Sequence, residues 1–165
     1  MKNQGFSLLE IIITLAVAIL IMTIGTINLV GFSAEKKLGD ETEKLSAMLR
    51  LAQEKSLNRE NNARFGVSLV NHPSGSDQLV LFQVDEAELV NSSYAVLPGE
   101  TIETYSLISP ITLLTPDESQ RENILFEIGT GRASASSTVV LARENATSSQ
   151  KSIYIYTNGR IEESE

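Results

Sequence analysis

From Ile11 to Phe32 the chain carries no charged residue, and Ile, Leu, Val, Ala and Met dominate. Nothing else in the sequence constrains the fold as strongly. As a helix this run would be about 33 Å long at 1.5 Å per residue, enough for a hydrocarbon core of about 30 Å. The spacing therefore predicts a transmembrane helix. A polar leader, Met1–Gly5, precedes it, joined through Phe6-Ser7-Leu8-Leu9-Glu10. Glu10 sits at the edge of the apolar span. At full membrane depth an unpaired carboxylate would cost on the order of 3 kcal/mol, so an acid here is a functional candidate by default.

The 165 residues allow one domain plus this hydrophobic stem. The formal net charge of −8 argues against a nonspecific nucleic-acid binder, which needs a basic footprint. With no cysteine there is no disulfide framework, thiol catalyst or thiolate metal site. A secretory signal peptide, with cleavage after Ala34, is the rival reading of the N-terminus. The apolar run exceeds the usual ~7–15 residues of such signals. Lys2 before the span and Glu35, Lys36 and Lys37 after it give too weak a charge bias to fix topology.

Beyond the span, Lys36-Lys37-Leu38-Gly39-Asp40 forms a polar break where Gly39 allows a bend or local melting, within one helix expected from near Ser7 to Arg59. The apolar pattern resumes at Leu45, Met48, Leu49 and Ala52, with the small Ser56 one turn later. That is the stripe of an amphipathic helix packed on a domain. Glu43, Lys44, Arg50, Glu54 and Lys55 lie largely outside it, and Arg50 with Glu54 is a candidate i,i+4 ion pair. Asn58-Arg59-Glu60-Asn61-Asn62 should end the helix.

From Ala63 the period becomes that of a strand. Phe65, Val67 and Leu69 alternate with Arg64, Gly66 and Ser68. A turn cluster over 71–77 leads to a second strand at 79–84, with further candidates at 101–107, 111–114, 124–128, 138–142 and 153–156. The fold class is α+β: a long N-terminal helix whose C-terminal half packs on an antiparallel sheet or two-layer β domain. Two glycine-arginine turns follow strands, Gly129-Thr130-Gly131-Arg132 and Asn158-Gly159-Arg160. Asn-Gly predicts a type I′ hairpin turn. Arg132 and Arg160 either hold acidic loops and carbonyls or are simply solvated. The acidic residues after Ile161 read as solvated surface.

Catalysis has little support. His72, the sole histidine, lies in a Pro/Gly/Ser turn. No zincin, phosphate-loop, dinucleotide or nucleophile-elbow pattern occurs, so no catalytic residue, metal or cofactor is expected. Asp117 and Glu118 look like a cap on a short polar run rather than a working carboxylate pair.

The segment Gly5-Phe6-Ser7-Leu8-Leu9-Glu10-Ile11-Ile12-Ile13 resembles the processing and assembly segment of bacterial type IV prepilins and type II secretion pseudopilins. The amphipathic helix, the strand-rich region and the two glycine-arginine turns are similar to the GspH/FimT-like minor pseudopilins. The usual alanine two places before the strand linker is not clear here. This resemblance implies a pilin-like fold and cleavage between Gly5 and Phe6 by a prepilin peptidase, which then methylates the Phe6 amine. It also implies an assembly role for Glu10, which falls on the family's glutamate, fifth in the mature chain. Elementary chemistry agrees with these roles. Gly5 can lie extended in a narrow protease cleft, and Glu10 can neutralise the cationic amine of a neighbouring subunit's Phe6. The plain alternative leaves Glu10 hydrated at a headgroup boundary.

The expected organisation is a cleaved leader at 1–5, a stem at 6–34, an amphipathic continuation at 35–60 and a β-rich domain at 61–165. The expected function is that of a structural subunit, minor in abundance, of a type IV pilus or type II secretion pseudopilus. Implied partners are the prepilin peptidase/methyltransferase, other pilins or pseudopilins, membrane lipid before assembly, and a membrane platform with a separate ATPase. The implied location is single-pass in the bacterial cytoplasmic membrane with the globular domain outside, then in the pilus or pseudopilus. Two other functions compete: a minor pilin that captures extracellular DNA through a face made of Arg132, Arg143, Lys151 and Arg160, and a simple anchored domain in which Gly5 stays uncut.

Overall fold

The computed structural model describes residues 7–73, 75–85, 94–117, 119–144 and 146–164, with the backbone alone for 24–30 and 146–148. The chain divides into two compact units, Met1–Glu35 and Lys36–Glu165. Helix α1 covers Leu8–Leu57, close to the one helix expected from Ser7 to Arg59, and runs without interruption through Gly39. A Cβ built at Gly39 would meet nothing within 4 Å, so no packing requirement explains that glycine. The helix stops where its sequence turns to Asn and Arg. Arg59, Asn61 and Asn62 all adopt left-handed backbone, with φ of 55°, 53° and 51°, around a single 3-10 turn, Glu60–Asn62.

Among the described residues eight strands follow: β1 Ala63–Val70, β2 Gln78–Asp85, β3 Thr101–Ser106, β4 Ile111–Leu113, β5 Arg121–Phe126, β6 Ser137–Arg143, β7 Ala146–Ile155 and β8 Ile161–Ser164. They form two four-stranded antiparallel sheets, ordered β3-β2-β1-β5 and β4-β6-β7-β8. The expected α+β architecture is the one found.

Residues 38–52 of α1 cover a core drawn from both sheets. Leu38, Leu45, Met48, Leu49 and Ala52 pack with Phe65, Val67 and Leu69 of β1, with Val139 and Leu141 of β6, and with Ile153 and Ile155 of β7. Burying each large side chain contributes about 1.5–3 kcal/mol, so this stripe fixes where the helix lies on the sheets. Ser56 closes the helix end onto β1: its Oγ accepts from Phe65 N at 2.8 Å. The expected Arg50–Glu54 ion pair is not formed. Both side chains are exposed, and in water such a pair is worth only tenths of a kcal/mol, too little to fix two long side chains.

The other face of the first sheet has its own small core of Phe82, Val84 and Leu125, covered by Tyr94 and Val96. Gly66 makes this possible. A Cβ there would lie 2.5 Å from Ile124 O and 2.9 Å from the Phe82 ring. Two buried polar side chains tie the sheets together at the 71–77 turn. Asn71 Nδ2 donates to Leu113 O and Pro116 O, each at 2.9 Å. Asp77 accepts from His72 N, Thr112 Oγ1 and Leu113 N at 2.6–2.9 Å.

Among the described residues no helix is long and apolar enough to cross a membrane. This overturns the transmembrane reading of residues 11–32 and, with it, the single-pass placement in a cytoplasmic membrane.

Candidate assembly site

Gly5 and Phe6 lie outside the described residues. The described part of the N-terminal segment opens on Ser7, whose carbonyl accepts from Glu10 N at 3.0 Å and Ile11 N at 3.2 Å, closing the first turn of α1. Glu10 sits in that first turn, where its charge favours the positive end of the helix dipole. Thr14 Oγ1 folds back onto the Glu10 carbonyl at 2.9 Å, so the hydroxyl is satisfied within the helix.

Around Glu10 the surface is apolar. Leu8, Leu9, Ile11, Ile12, Ile13, Leu15, Val17, Ile19, Leu20, Ile21 and Met22 are all 49–77% exposed. A helix apolar on every side forms a contiguous patch far larger than a monomer in water ordinarily shows, and such a surface marks an interaction site. Glu10 is the one carboxylate within it. The chemistry available here is association through apolar area, with one negative charge to select a cationic partner.

At the other end of the helix the two glycine-arginine turns come together on one side chain. Gln53 Nε2 donates to Gly131 O at 2.8 Å and to Gly159 O at 2.7 Å. Gly129 and Gly131 have φ of 72° and 63°, and Gly159 has φ of 86°. A side chain at Gly159 would run into Gly131 O and the Gln53 amide. The Asn158-Gly159 turn is not type I′, since Asn158 stays out of the left-handed region. Tyr156 and Arg160 instead bracket a three-residue loop with Gly159 in the bulge position, held by Tyr156 N to Arg160 O at 2.9 Å and Gly159 N to Tyr156 O at 2.8 Å.

Arg132 is exposed. Arg160 pairs with Glu162 at 3.3 Å and lies 4.3 Å from the centre of the Tyr156 ring. Arg143 is at the opposite end of the second sheet. Ser137 pairs with Ile155 beside the turn, whereas Arg143 lies at the far end of β6, about 20 Å along the strand. The structure therefore does not gather Arg132, Arg143, Lys151 and Arg160 into one basic face.

His72 is exposed at the rim of a cleft of about 710 Å³ between the 71–77 turn, β4 and the end of β6. Asp77, the buried acid there, has both oxygens committed to the fold. Asp117 also lines this cleft, and Glu118 lies outside the described residues. Among the described residues no group of three or more His, Asp or Glu side chains is placed to hold a metal ion.

The structure resembles that of the type IV minor pilin FimU of Pseudomonas aeruginosa in two crystal forms. One matches at 15% identity over 78% of this chain and 93% of FimU, with a TM-score of 0.52. The other matches at 14% identity over 81% and 92%, with a TM-score of 0.54. The fold is pilin-like. No family model and no curated protein matches the sequence. The pilin-like fold accounts for a long helix feeding a β domain.

Proposed function

We propose that this chain is a pilin-like structural subunit, minor in abundance, that assembles through its N-terminal helix into a type IV pilus or a type II secretion pseudopilus. One observation carries the reading: a pilin-like fold whose helix exposes an apolar surface from Leu8 to Met22, with Glu10 as its single carboxylate. Packed against the same segment of neighbouring subunits, that surface leaves water, at about 25 cal/mol per Å². Cleavage between Gly5 and Phe6 by a prepilin peptidase, followed by methylation of the new amine, supplies the cation that Glu10 neutralises across the interface. The two glycine-arginine turns joined through Gln53 support the GspH/FimT-like subgroup. The work of assembly belongs to a separate ATPase.

Intact-mass measurement with N-terminal sequencing of the protein from its native host tests this directly. The expected product begins at Phe6 and carries one added methyl group, and Gly5 replaced by a bulky residue leaves the precursor uncut. A chain that retains Met1–Gly5, or a Gly5 variant processed normally, removes the proposal.

A further inference from the structure

Beside the helix lies a second cleft, of about 410 Å³, between α1 and the outer strand of the second sheet. Its helix wall is Glu43, Ser46, Ala47, Arg50, Leu51 and Glu54, and its sheet wall is Glu163 of β8. Strand β8 is last in its sheet, so residues 161–163 present one edge of backbone that pairs with no described strand. Glu163 lies opposite Ile153, a core residue, which turns its side chain to the helix side of the sheet.

The walls have a definite chemistry. Glu43, Glu54 and Glu163 are exposed and enter no ion pair among the described residues, while Arg50 is the one cation lining the cleft. Ala47 and Leu51 give the helix wall an exposed apolar floor, with Leu51 38% exposed. Ser46 is only 3% exposed, yet its Oγ has no hydrogen-bond partner among the described residues. That hydroxyl is a polar group of the cleft wall that the fold itself leaves unmatched.

We infer that this cleft takes an extended, cationic segment of a partner protein, added as a further strand along β8. The open backbone edge selects an extended chain, which gains main-chain hydrogen bonds by strand addition. Its alternate side chains face the helix, where apolar ones meet Ala47 and Leu51 and basic ones meet Glu43, Glu54 and Glu163. A second copy of β8 is disfavoured at the same edge, because Glu162 and Glu163 would face their own kind. The carboxylates thus reject self-pairing and admit a cation. This site stands whether or not the chain assembles through its N-terminal helix.

The test uses the full chain in a neutral detergent and a fluorescent peptide of two Lys-Ser-Val-Ser repeats, which sets lysine and valine on one face of a strand, with Glu-Ser-Val-Ser repeats as control. Saturable anisotropy is expected for the lysine peptide alone, weakened about tenfold or more by Glu54→Lys with Glu163→Lys. Glu103→Lys, a single charge reversal on the edge strand of the other sheet, should leave affinity within about twofold, while Glu54→Lys alone should already weaken it. Hydrogen exchange should slow within β8 when the peptide is bound. Absence of saturable binding, binding indifferent to Glu54→Lys with Glu163→Lys, or binding that leaves β8 exchange unchanged overturns the inference.

Discussion

Gln53 and Gly159 lie 106 positions apart in the chain, yet the Gln53 amide donates to the Gly159 carbonyl at 2.7 Å. The same nitrogen serves Gly131 O at 2.8 Å, so one helix side chain holds the ends of two hairpins. This relationship explains why both turns need glycine. Their carbonyls must converge on a single donor, and the backbone at Gly159 passes too close to Gly131 for any side chain.

Gly159→Ala should destabilise the protein by about 2–4 kcal/mol, from the left-handed backbone and from collision with the Gly131 carbonyl. Gln53→Ala should cost about 1–3 kcal/mol by leaving two partly buried carbonyls without their donor. Urea unfolding of the two single variants and the double variant will show strong non-additivity, since all three remove one linkage. Additive losses would mean that the turns are held independently.

Gly66→Ala should cost about 1–3 kcal/mol or more. Its obstruction has two parts, the Phe82 ring at 2.9 Å and the Ile124 carbonyl at 2.5 Å. Shortening the ring by Phe82→Leu relieves only the first, so Gly66→Ala with Phe82→Leu should recover little stability. Full recovery in thermal unfolding would show that β1 and β5 can separate freely.

The Tyr105 phenol donates to Glu41 Oε1 at 2.7 Å, and the Lys44 ammonium lies 3.4 Å from the centre of its ring. Partial burial, then the hydrogen bond and charge of Glu41, push the Tyr105 pKa from 10.0 up to about 12. Because the folded value lies above the unfolded one, this stability is fully present below about pH 10 and is lost as pH rises toward about 12. In an ultraviolet titration the Tyr105 step should fall toward about pH 12. Glu41→Gln should move that late step toward lower pH, and Tyr105→Phe should abolish it. A late step that survives Tyr105→Phe belongs to another residue.

The helix stripe and the first strand pair were legible because periodicity survives wherever one face is buried. Leu45, Met48, Leu49 and Ala52 all reach the core. Strand β8 was missed because only Ile161 of its four residues contacts that core, and Glu162, Glu163 and Ser164 read as surface. The first half of β7, Ala-Thr-Ser-Ser-Gln-Lys, has no apolar alternation, and its strand state follows from pairing with β6 rather than from propensity. The buried polar groups were also invisible. Nothing local tells Glu41, Ser46 or Asp77 that their surroundings exclude water. For Asp77 the signal was its place in a turn cluster, whereas the distant partners Thr112 and Leu113 were not readable. The two glycine-arginine turns stood out in sequence, but their common donor, Gln53, is found only once the helix lies across both sheets.

The decisive test of the assembly site is Glu10. Glu10→Ala removes the single carboxylate from an otherwise apolar helix surface and leaves the β domain untouched. Its local cost is small, about 0.3–1 kcal/mol from the helix dipole, so folding should be unchanged by circular dichroism. In the proposed filament the cost is larger, because a neighbouring subunit's Phe6 amine would enter an apolar bundle without a counter-charge. Breaking such a buried pair costs about 3–5 kcal/mol, enough to shift incorporation by more than a hundredfold. Glu10→Gln keeps shape and hydrogen bonding without the charge and should fall between the two. The measurement is the ratio of protein in sheared filaments to protein retained by the cells, with cleavage at Gly5 verified by mass. Wild-type incorporation of both correctly cleaved variants would leave Glu10 only its role at the helix N-terminus.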